Sequence, residues 1–257
     1  MGDFGYSLIT KQAVSETLYS RFKWSAALAV MAVLLAFLVS VPIGVWAGAR
    51  PGSWFDRIVQ IKLFLFFCIP TFWMGTILLV VFANPDLLPW FPASGIAPPG
   101  GFPPSMTLFD KMISTMPYLV LPVFCYTYAT WAFTSRVIRS AVRDNMHQDH
   151  IRTAKAKGLP LPQIAFKHAL KNALLPAITV FAEVFPMAVG GSVIVETIFS
   201  IPGMGFETVQ AALNRDYPVI IAACTFSALL TMSGTLVADI LYTMADPRIK
   251  LKGGNNG

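Results

Sequence analysis

Two carboxylates lie inside long apolar stretches of the sequence, where ionised groups are costly and usually have a function. Glu183 falls within the stretch at 173–195, and Asp239 lies near the end of the stretch at 218–244. The position of Glu183 suits either a transport pathway or gate, or a structural hydrogen bond between helices. Asp239 is closer to a membrane surface, and we expect it to pair with a nearby lysine or arginine.

The histidines and other reactive residues form no recognisable chemical centre. His147 and His150 are spaced to share a helix face, but His168 is the only further histidine, and we therefore predict no metal site. The sequence has no phosphate-binding GxxxxGK[ST] motif and no Ser–His or His–Glu set within the apolar stretches. We expect no catalytic residues, no bound cofactor and no ATP hydrolysis in this chain.

The composition indicates a membrane protein. Of 257 residues, 55% are hydrophobic and only 12% are charged, against about 25% charged in soluble domains. An all-α polytopic fold is predicted, in which five spans are each long enough to cross the hydrocarbon layer. These spans are 24–48, 58–83, 116–135, 173–195 and 218–244, and Pro70 should kink the second. The net charge of +6 then indicates contact with lipid headgroups rather than nucleic acid.

The segments between the spans have contrasting compositions. Residues 84–115 are rich in proline and glycine and read as a turn-rich loop, which serves either as a spacer or as a contact for a partner. Residues 196–217 are predicted as a second loop on the same side. Residues 1–23 form a polar segment with a short surface helix at Ser15–Phe22, and the tail at 251–257 is predicted to be disordered. The transmembrane domain is thus expected over 24–250.

The longest polar stretch between spans is 139–172, which we call the charged loop. A helix is predicted from Ser140 to Lys157, ending at Gly158, and a second from Gln163 to Leu174 after two prolines. Such a pair suits docking into a groove on another protein, or lying as a basic linker on lipid headgroups. Lysine and arginine number 14 on the side of the charged loop and 5 on the other, which predicts that the loop and the C-terminus are cytoplasmic.

Three separated motifs carry a resemblance to a known family. Residues 151–176 read IRTAKAKGLPLPQIAFKHALKNALLP, residues 195–205 read VETIFSIPGMG, and residues 242–249 read YTMADPRI. The first resembles the coupling loop of ABC importer permeases, although Arg152 and Thr153 replace the Glu-Ala of the general signature that continues with Ala154, Gly158, Leu175 and Pro176. All three motifs, in this order, resemble the dipeptide/oligopeptide/nickel branch from Asp3 to about Lys250.

The resemblance implies the permease subunit of an ATP-driven importer in the bacterial cytoplasmic membrane, with a type I permease core that moves peptides or a related solute by alternating access. The implied partners are a second homologous permease, two ABC ATPases that use ATP and magnesium, and an external solute-binding protein. Members usually carry one further transmembrane helix upstream, and its absence here is a truncation, a misassigned start or a real difference. The transported substrate is not readable from the sequence.

The resemblance also assigns roles to residues. Those expected to contact the ATPase are His150, Arg152, Thr153, Ala154, Lys155, Ala156, Lys157, Gly158 and Leu159. Those expected to line a pathway or gate are Glu183, Met187, Gly190, Gly191 and Ile194. Those expected to contact the binding protein are Trp90, Phe91, Ile201, Pro202, Gly203, Met204 and Gly205. A secondary transporter that uses Glu183 and Asp239 for ion coupling is the alternative, and an intramembrane enzyme or a scaffold is less favoured.

Overall fold

The structure is a computed structural model, and it describes residues 4–173 and 193–245. Within these residues the regular structure is helical, apart from one antiparallel bridge between Tyr6 and Ala13, so the all-α prediction is confirmed. Three described helices are long and apolar enough to span a bilayer, and a bent helix pair supplies a fourth candidate. The predicted span at 173–195 lies almost wholly outside the described residues.

The centre of the fold is the pair α1 (Val14–Ala49) and α4 (Leu108–Asn145), which cross closely because glycines replace side chains at the contact. A Cβ atom at Gly48 would lie 2.6 Å from the carbonyl oxygen of Arg139, and one at Gly44 would lie 2.8 Å from that of Ser135. Small residues spaced four apart allow this approach in membrane helices. The hydroxyl of Ser40, one turn before Gly44, donates to the carbonyl of Trp131 at 3.2 Å.

The second predicted span is broken into α2 (Trp54–Cys68) and α3 (Thr71–Phe82), whose axes differ by 98°. The break falls at Ile69 and Pro70, because proline has no N–H for the helix and disfavours a helical conformation in the residue before it. A kink was predicted at Pro70, and the structure shows a much sharper bend. The hydroxyl of Tyr128 on α4 donates to the carbonyl of Ile69 at 2.6 Å and satisfies an acceptor freed by the break.

Helix α4 is longer at both ends than the predicted span at 116–135. Thr107 caps its start by accepting the N–H of Asp110 at 3.2 Å, so the predicted loop at 84–115 ends earlier, and Pro117 lies well inside the helix rather than in its first turn. At the other end, Ile138 and Val142 are fully buried and hold the helix together as far as Asn145. The predicted helix Ser140–Lys157 is therefore wrong as a single element.

The charged loop follows α4 as two short helical pieces. They are α5 (Asp149–Ala156) and the return helix at 161–173, which comprises α6 (Leu161–Gln163), a π-helical segment (Ile164–Ala169) and α7 (Leu170–Ala173). Pro160 precedes the return helix and Pro162 sits in its first turn, where a missing N–H costs little.

The region from residue 193 onward also differs from the prediction. The predicted loop at 196–217 contains the end of α8 (Val193–Ile198) and all of α9 (Met204–Leu213), and α10 (Tyr217–Ala245) follows where the last span was expected. The predicted surface helix at Ser15–Phe22 is instead the beginning of α1. Its buried Val14 and Leu18 pack in one cluster with residues of α9 and α10.

Candidate functional site

The charged loop has a hydrophobic core of its own, which continues into the C-terminal ends of α1 and α4. Ile151 and Ala154, one turn apart on α5, are both buried in it. The other buried members come from α1, α4, the turn at Met146 and the return helix: Val45, Ala49, Ile138, Val142, Met146, Ile164, Ala165, Ala169 and Ala173. Because these side chains interdigitate, we expect α5 to move with the inner ends of α1 and α4 as one body.

The opposite face of α5 is exposed and basic. Of the nine residues predicted to contact an ATPase, Leu159 is half-buried. Seven are exposed on α5 or just after it: His150, Arg152, Thr153, Lys155, Ala156, Lys157 and Gly158. Ala154 differs, because its side chain is only 5% exposed and packs within the chain. Its role is therefore to seat α5, and the surface offered to a partner consists of the other residues.

Gly158 ends α5 in a conformation that suits glycine. Its φ is +74°, a region that L side chains rarely adopt, and a Cβ atom there would meet nothing within 4 Å. The N–H of Gly158 donates to the carbonyl of Lys155 at 2.9 Å, and the N–H of Leu159 donates to that of Ala154 at 3.3 Å. These two bonds form a Schellman motif, as the predicted helix stop at Gly158 required.

A buried ion pair connects α2 to this body. The guanidinium of Arg139 on α4 binds both carboxylate oxygens of Asp56, with Nε at 2.5 Å from Oδ1 and Nη2 at 2.8 Å from Oδ2. The side chain of Asp56 is 3% exposed and also accepts the N–H of Gly52 at 2.8 Å. Sequence analysis did not single out this pair. The Ser53-x-x-Asp56 capping pattern was the available signal, and it indicates a helix start without indicating the partner of Asp56.

A fully buried carboxylate organises the contacts around the IPGMG turn. Glu196 on α8 accepts the hydroxyl of Ser25 at 2.6 Å, the hydroxyl of Tyr126 at 3.4 Å and the N–H of Phe206 at 2.8 Å. Ser25 in turn accepts the N–H of Met204 at 2.8 Å, which leaves its own proton for Glu196. The carboxylate thus ties together α1, α4, α8 and the start of α9. The prediction of a loop at 196–217 assigned no role to Glu196.

The IPGMG turn wraps directly around this carboxylate. A Cβ atom at Gly203 would collide with the carboxylate of Glu196, so glycine is required there by space rather than by backbone conformation. Four of the five residues in the turn that were predicted to contact a binding protein are buried within the chain: Ile201, Gly203, Met204 and Gly205. This corrects their assignment, because buried residues offer no surface to a partner. Pro202 is half-buried.

The other two residues predicted to contact a binding protein lie on the loop between α3 and α4. Trp90 is 64% exposed, and its ring packs against Phe82 with centroids 5.6 Å apart. Phe91 is half-buried against the main core. The N–H of Gly95 donates to the carbonyl of Phe199 at 2.8 Å, so the proline-rich loop is held against the end of α8. Trp90 therefore remains available at the surface.

Four of the five predicted pathway residues lie outside the described residues: Glu183, Met187, Gly190 and Gly191. Ile194 is described, and it is exposed on α8. Its neighbour Val193 lines an open cavity of about 570 Å³ with residues of α9 and α10: Thr208, Ala223, Cys224, Ser227, Ala228, Thr231 and Met232. Asp239 is exposed on α10, and no ion pair of Asp239 is found among the described residues.

Asp216 anchors the N-terminal segment beside the start of α10. The hydroxyl of Ser7 donates to one carboxylate oxygen, and the N–H of Leu8 donates to the other at 3.0 Å. Burial raises the pKa of Asp216, but hydrogen bonds from Ser7, Leu8, Ile9 and Val219 outweigh burial, so the pKa lies below its ordinary value. The carboxylate therefore stays ionised and serves as the N-terminal cap of α10.

Comparison with known proteins decides the family. The family described as "Binding-protein-dependent transport system inner membrane component" matches residues 40–251. The chain belongs to this family. This chain is 41% identical to the oligopeptide transport system permease protein AppB of Bacillus subtilis, over 97% of this chain and 76% of that protein. It is 35% identical to the di/tripeptide transport system permease protein DppB of Pseudomonas aeruginosa, over 97% and 77% respectively.

The fold of this inner-membrane component is also found in a solved structure. A chain of the MetNI methionine ABC transporter, described in inward-facing conformations, superposes with a TM-score of 0.67 at 15% identity. The match covers 90% of this chain and 97% of the other. The prediction of an all-α fold like that of an importer permease is therefore confirmed.

Proposed function

We propose that this chain is the permease subunit of an ATP-driven importer, which carries peptides or a related small solute across the cytoplasmic membrane by alternating access. The observation that carries the proposal is the basic face of α5, which is exposed while its opposite face is seated in the core of α1 and α4. A surface so mounted would pass a movement of a docked ATPase to the membrane helices. Peptides are favoured as cargo because the similar curated proteins are peptide permeases.

The proposed assembly contains a second, homologous permease, two ABC ATPase chains that use ATP and magnesium, and an external solute-binding protein. The description of the family as binding-protein-dependent supports the last partner. Trp90 and Pro202, which keep exposed surface at one end, are the residues we assign to it. The excess of lysine and arginine at the other end favours a cytoplasmic orientation of the charged loop and the C-terminus.

The solute pathway is proposed to pass Ile194 and the cavity beside Val193. That cavity combines hydroxyl groups of Thr208, Ser227 and Thr231 with aliphatic side chains, a mixture that suits peptide backbones. Glu183, Met187, Gly190 and Gly191, which lie outside the described residues, remain proposed as further pathway residues.

Ala156→Asp tests the docking surface. Ala156 is exposed on α5, so an aspartate there keeps the fold of the charged loop while placing a carboxylate among cations that would face the ATPase. We expect peptide uptake to fall at least tenfold at matched protein level. Ala154→Asp is not a clean test, because Ala154 is buried and its replacement would unseat α5 itself.

Gln163→Asp is the control, since this exposed residue is in the same loop but on the return helix. It should retain uptake close to that of the wild type. Wild-type uptake in Ala156→Asp cells, with the protein present in the membrane, would remove the docking assignment. Uptake that survives depletion of ATP but collapses with an uncoupler would instead favour ion coupling.

A further inference from the structure

An apolar groove of about 540 Å³ opens between α1, α2 and α4, and its lining includes no residue of α5, of the return helix or of α8. One face of α2 supplies most of its wall, and α1 and α4 each contribute one residue: Ile43, Val59, Lys62, Leu63, Leu65, Phe66, Ile69 and Trp131. The rings of Phe66 and Trp131 stack within the wall, with centroids 5.9 Å apart. The volume is within the range of about 300–1,000 Å³ that is typical of small-ligand sites.

Lys62 is the one charged residue in this otherwise hydrocarbon wall. Its side chain is exposed, and among the residues that the structure describes no carboxylate lies within 4 Å of its ammonium group. The nearby cation Arg139 is paired with Asp56, and Arg50 stacks on the ring of Trp46 at 4.3 Å. Lys62 is therefore left without an ion-pair partner among the described residues, beside an apolar cavity. This arrangement favours an anion bearing a hydrocarbon chain.

The position of the groove further limits the chemical class of molecule that could occupy it. Trp46 near the end of α1 and the exposed Trp54 at the start of α2 mark a membrane–water interface, where such rings concentrate. Lys62 lies eight residues along α2 from Trp54, about 12 Å by helical rise, so its long side chain can extend back toward the headgroups. Apart from the ammonium group of Lys62, the aliphatic and aromatic side chains of the wall offer water few polar partners.

We propose that this groove binds one anionic phospholipid, with an acyl chain against Phe66 and Trp131 and with the phosphate paired to Lys62. The site holds α2 against α1 and α4 further along α2 than the Asp56–Arg139 ion pair. The proposal requires that the chain spans a bilayer, but it does not depend on ATP coupling or on the identity of the solute.

The test is lipid retention by the full chain, purified with whatever partners accompany it, in mild detergent. Phosphatidylglycerol and phosphatidylcholine with identical acyl chains are added in equal amounts, and bound lipid is counted by native mass spectrometry. We expect wild-type protein to retain phosphatidylglycerol preferentially. Lys62→Gln should lower this preference about fivefold, which corresponds to the loss of about 1 kcal/mol per basic residue at a membrane surface.

Lys62→Arg and Lys167→Gln are the matched controls. The first keeps the charge in the groove, and the second removes an exposed lysine of the charged loop, so both should retain the preference. Val59→Trp narrows the groove and should reduce the binding of both lipids. An unchanged preference in Lys62→Gln would overturn the proposal, as would equal retention of the two lipids by the wild type.

A cysteine at Leu65, which is exposed on the rim, distinguishes a lipid from a protein occupant. Cross-linking of Leu65→Cys to another protein chain in native membranes would assign the groove to a subunit interface and would also overturn the proposal. A loss of uptake in Ala156→Asp with lipid retention intact would bear on coupling alone, so the outcomes of the two experiments remain separable.

Discussion

At the scale of single residues, Glu196 joins distant parts of the chain around the IPGMG turn. Its carboxylate accepts hydrogen bonds from Ser25, Tyr126 and the backbone N–H of Phe206, and it has no exposed surface. Buried acceptors of this kind are costly to leave unpaired, and so are the donors that face them. We therefore regard Glu196 as a positioning residue that holds the IPGMG turn and the start of α9.

Glu196→Gln should destabilise the protein by about 2–3 kcal/mol, because the amide group turns a donor toward groups that already donate. Thermal unfolding of the purified protein in detergent measures the effect. Glu207→Gln is the matched control: Glu207 forms a partly exposed ion pair with Arg21 at 2.9 Å, and its loss should cost about 1 kcal/mol or less. Equal losses of stability in the two variants would contradict the role given to Glu196.

Asp216 predicts a pH dependence of the N-terminal segment. Because its pKa is lowered in the folded protein, its stabilising contribution is complete above the unfolded value of about 3.9 and is lost as the pH falls through the folded value. A spin label at the exposed Ile9, in a cysteine-free background, should be restrained at pH 7 and become mobile only below about pH 4. In Asp216→Asn the label should be mobile at both pH values. A label that stays restrained in that variant would show that other contacts hold the segment.

At the scale of elements, the crossing of α1 and α4 sets the positions of α5 and of the start of α2. Gly44 and Gly48 let the two backbones approach, and Gly48 lies opposite Arg139 and Val142 of α4. The seat of α5 and the ion pair to Asp56 both depend on this crossing. A small side chain at one glycine should therefore disturb several contacts at once.

Gly48→Ala should destabilise the protein by about 2 kcal/mol, because its Cβ would meet backbone that cannot rotate away. Gly75→Ala on α3 is the control, since its Cβ would approach side-chain atoms alone, the nearest being Cδ1 of Ile198 at 3.3 Å. We expect the control to change stability by less than about 1 kcal/mol. Thermal unfolding in detergent distinguishes them, and a Gly48→Ala protein as stable as wild type would mean that the crossing has slack.

Several of these elements could be predicted because their signals are local. Pro70 marks the bend between α2 and α3, Gly158 marks the end of α5, and the apolar run at 218–244 marks α10. The length of α4 could not be predicted in the same way, because a membrane helix tolerates prolines such as Pro117 and Pro122 in its interior.

Part of the candidate site was not predictable, because it depends on contacts between distant residues. Ser25 and Glu196 are 171 positions apart, and Asp56 and Arg139 are 83 apart. A pattern in one sequence identifies each residue as polar without saying which other residue will bury it. The IPGMG turn was recognised as a motif because its signal is local. Its buried role around Glu196 was missed because that role depends on contacts between distant residues.

At the scale of the whole molecule, the inner end forms one connected body. Arg139 fastens the start of α2 to α4, the glycine crossing joins α4 to α1, and the core around Ile151 and Ala154 seats α5 on both. A force applied to the exposed face of α5 would therefore reach three membrane helices without passing through a flexible joint. This connection is the structural basis for the proposed coupling.

Site-specific cross-linking tests the central claim most directly. A photoreactive amino acid is placed at Ala156, on the exposed face of α5, and separately at Trp90, which is exposed at the opposite end. In native membranes, the account predicts that Ala156 cross-links to an ATPase chain and that Trp90 does not. An intact, membrane-inserted protein whose Ala156 forms no adduct with an ATPase, or whose Trp90 does, would contradict the assignment of α5 as the docking surface.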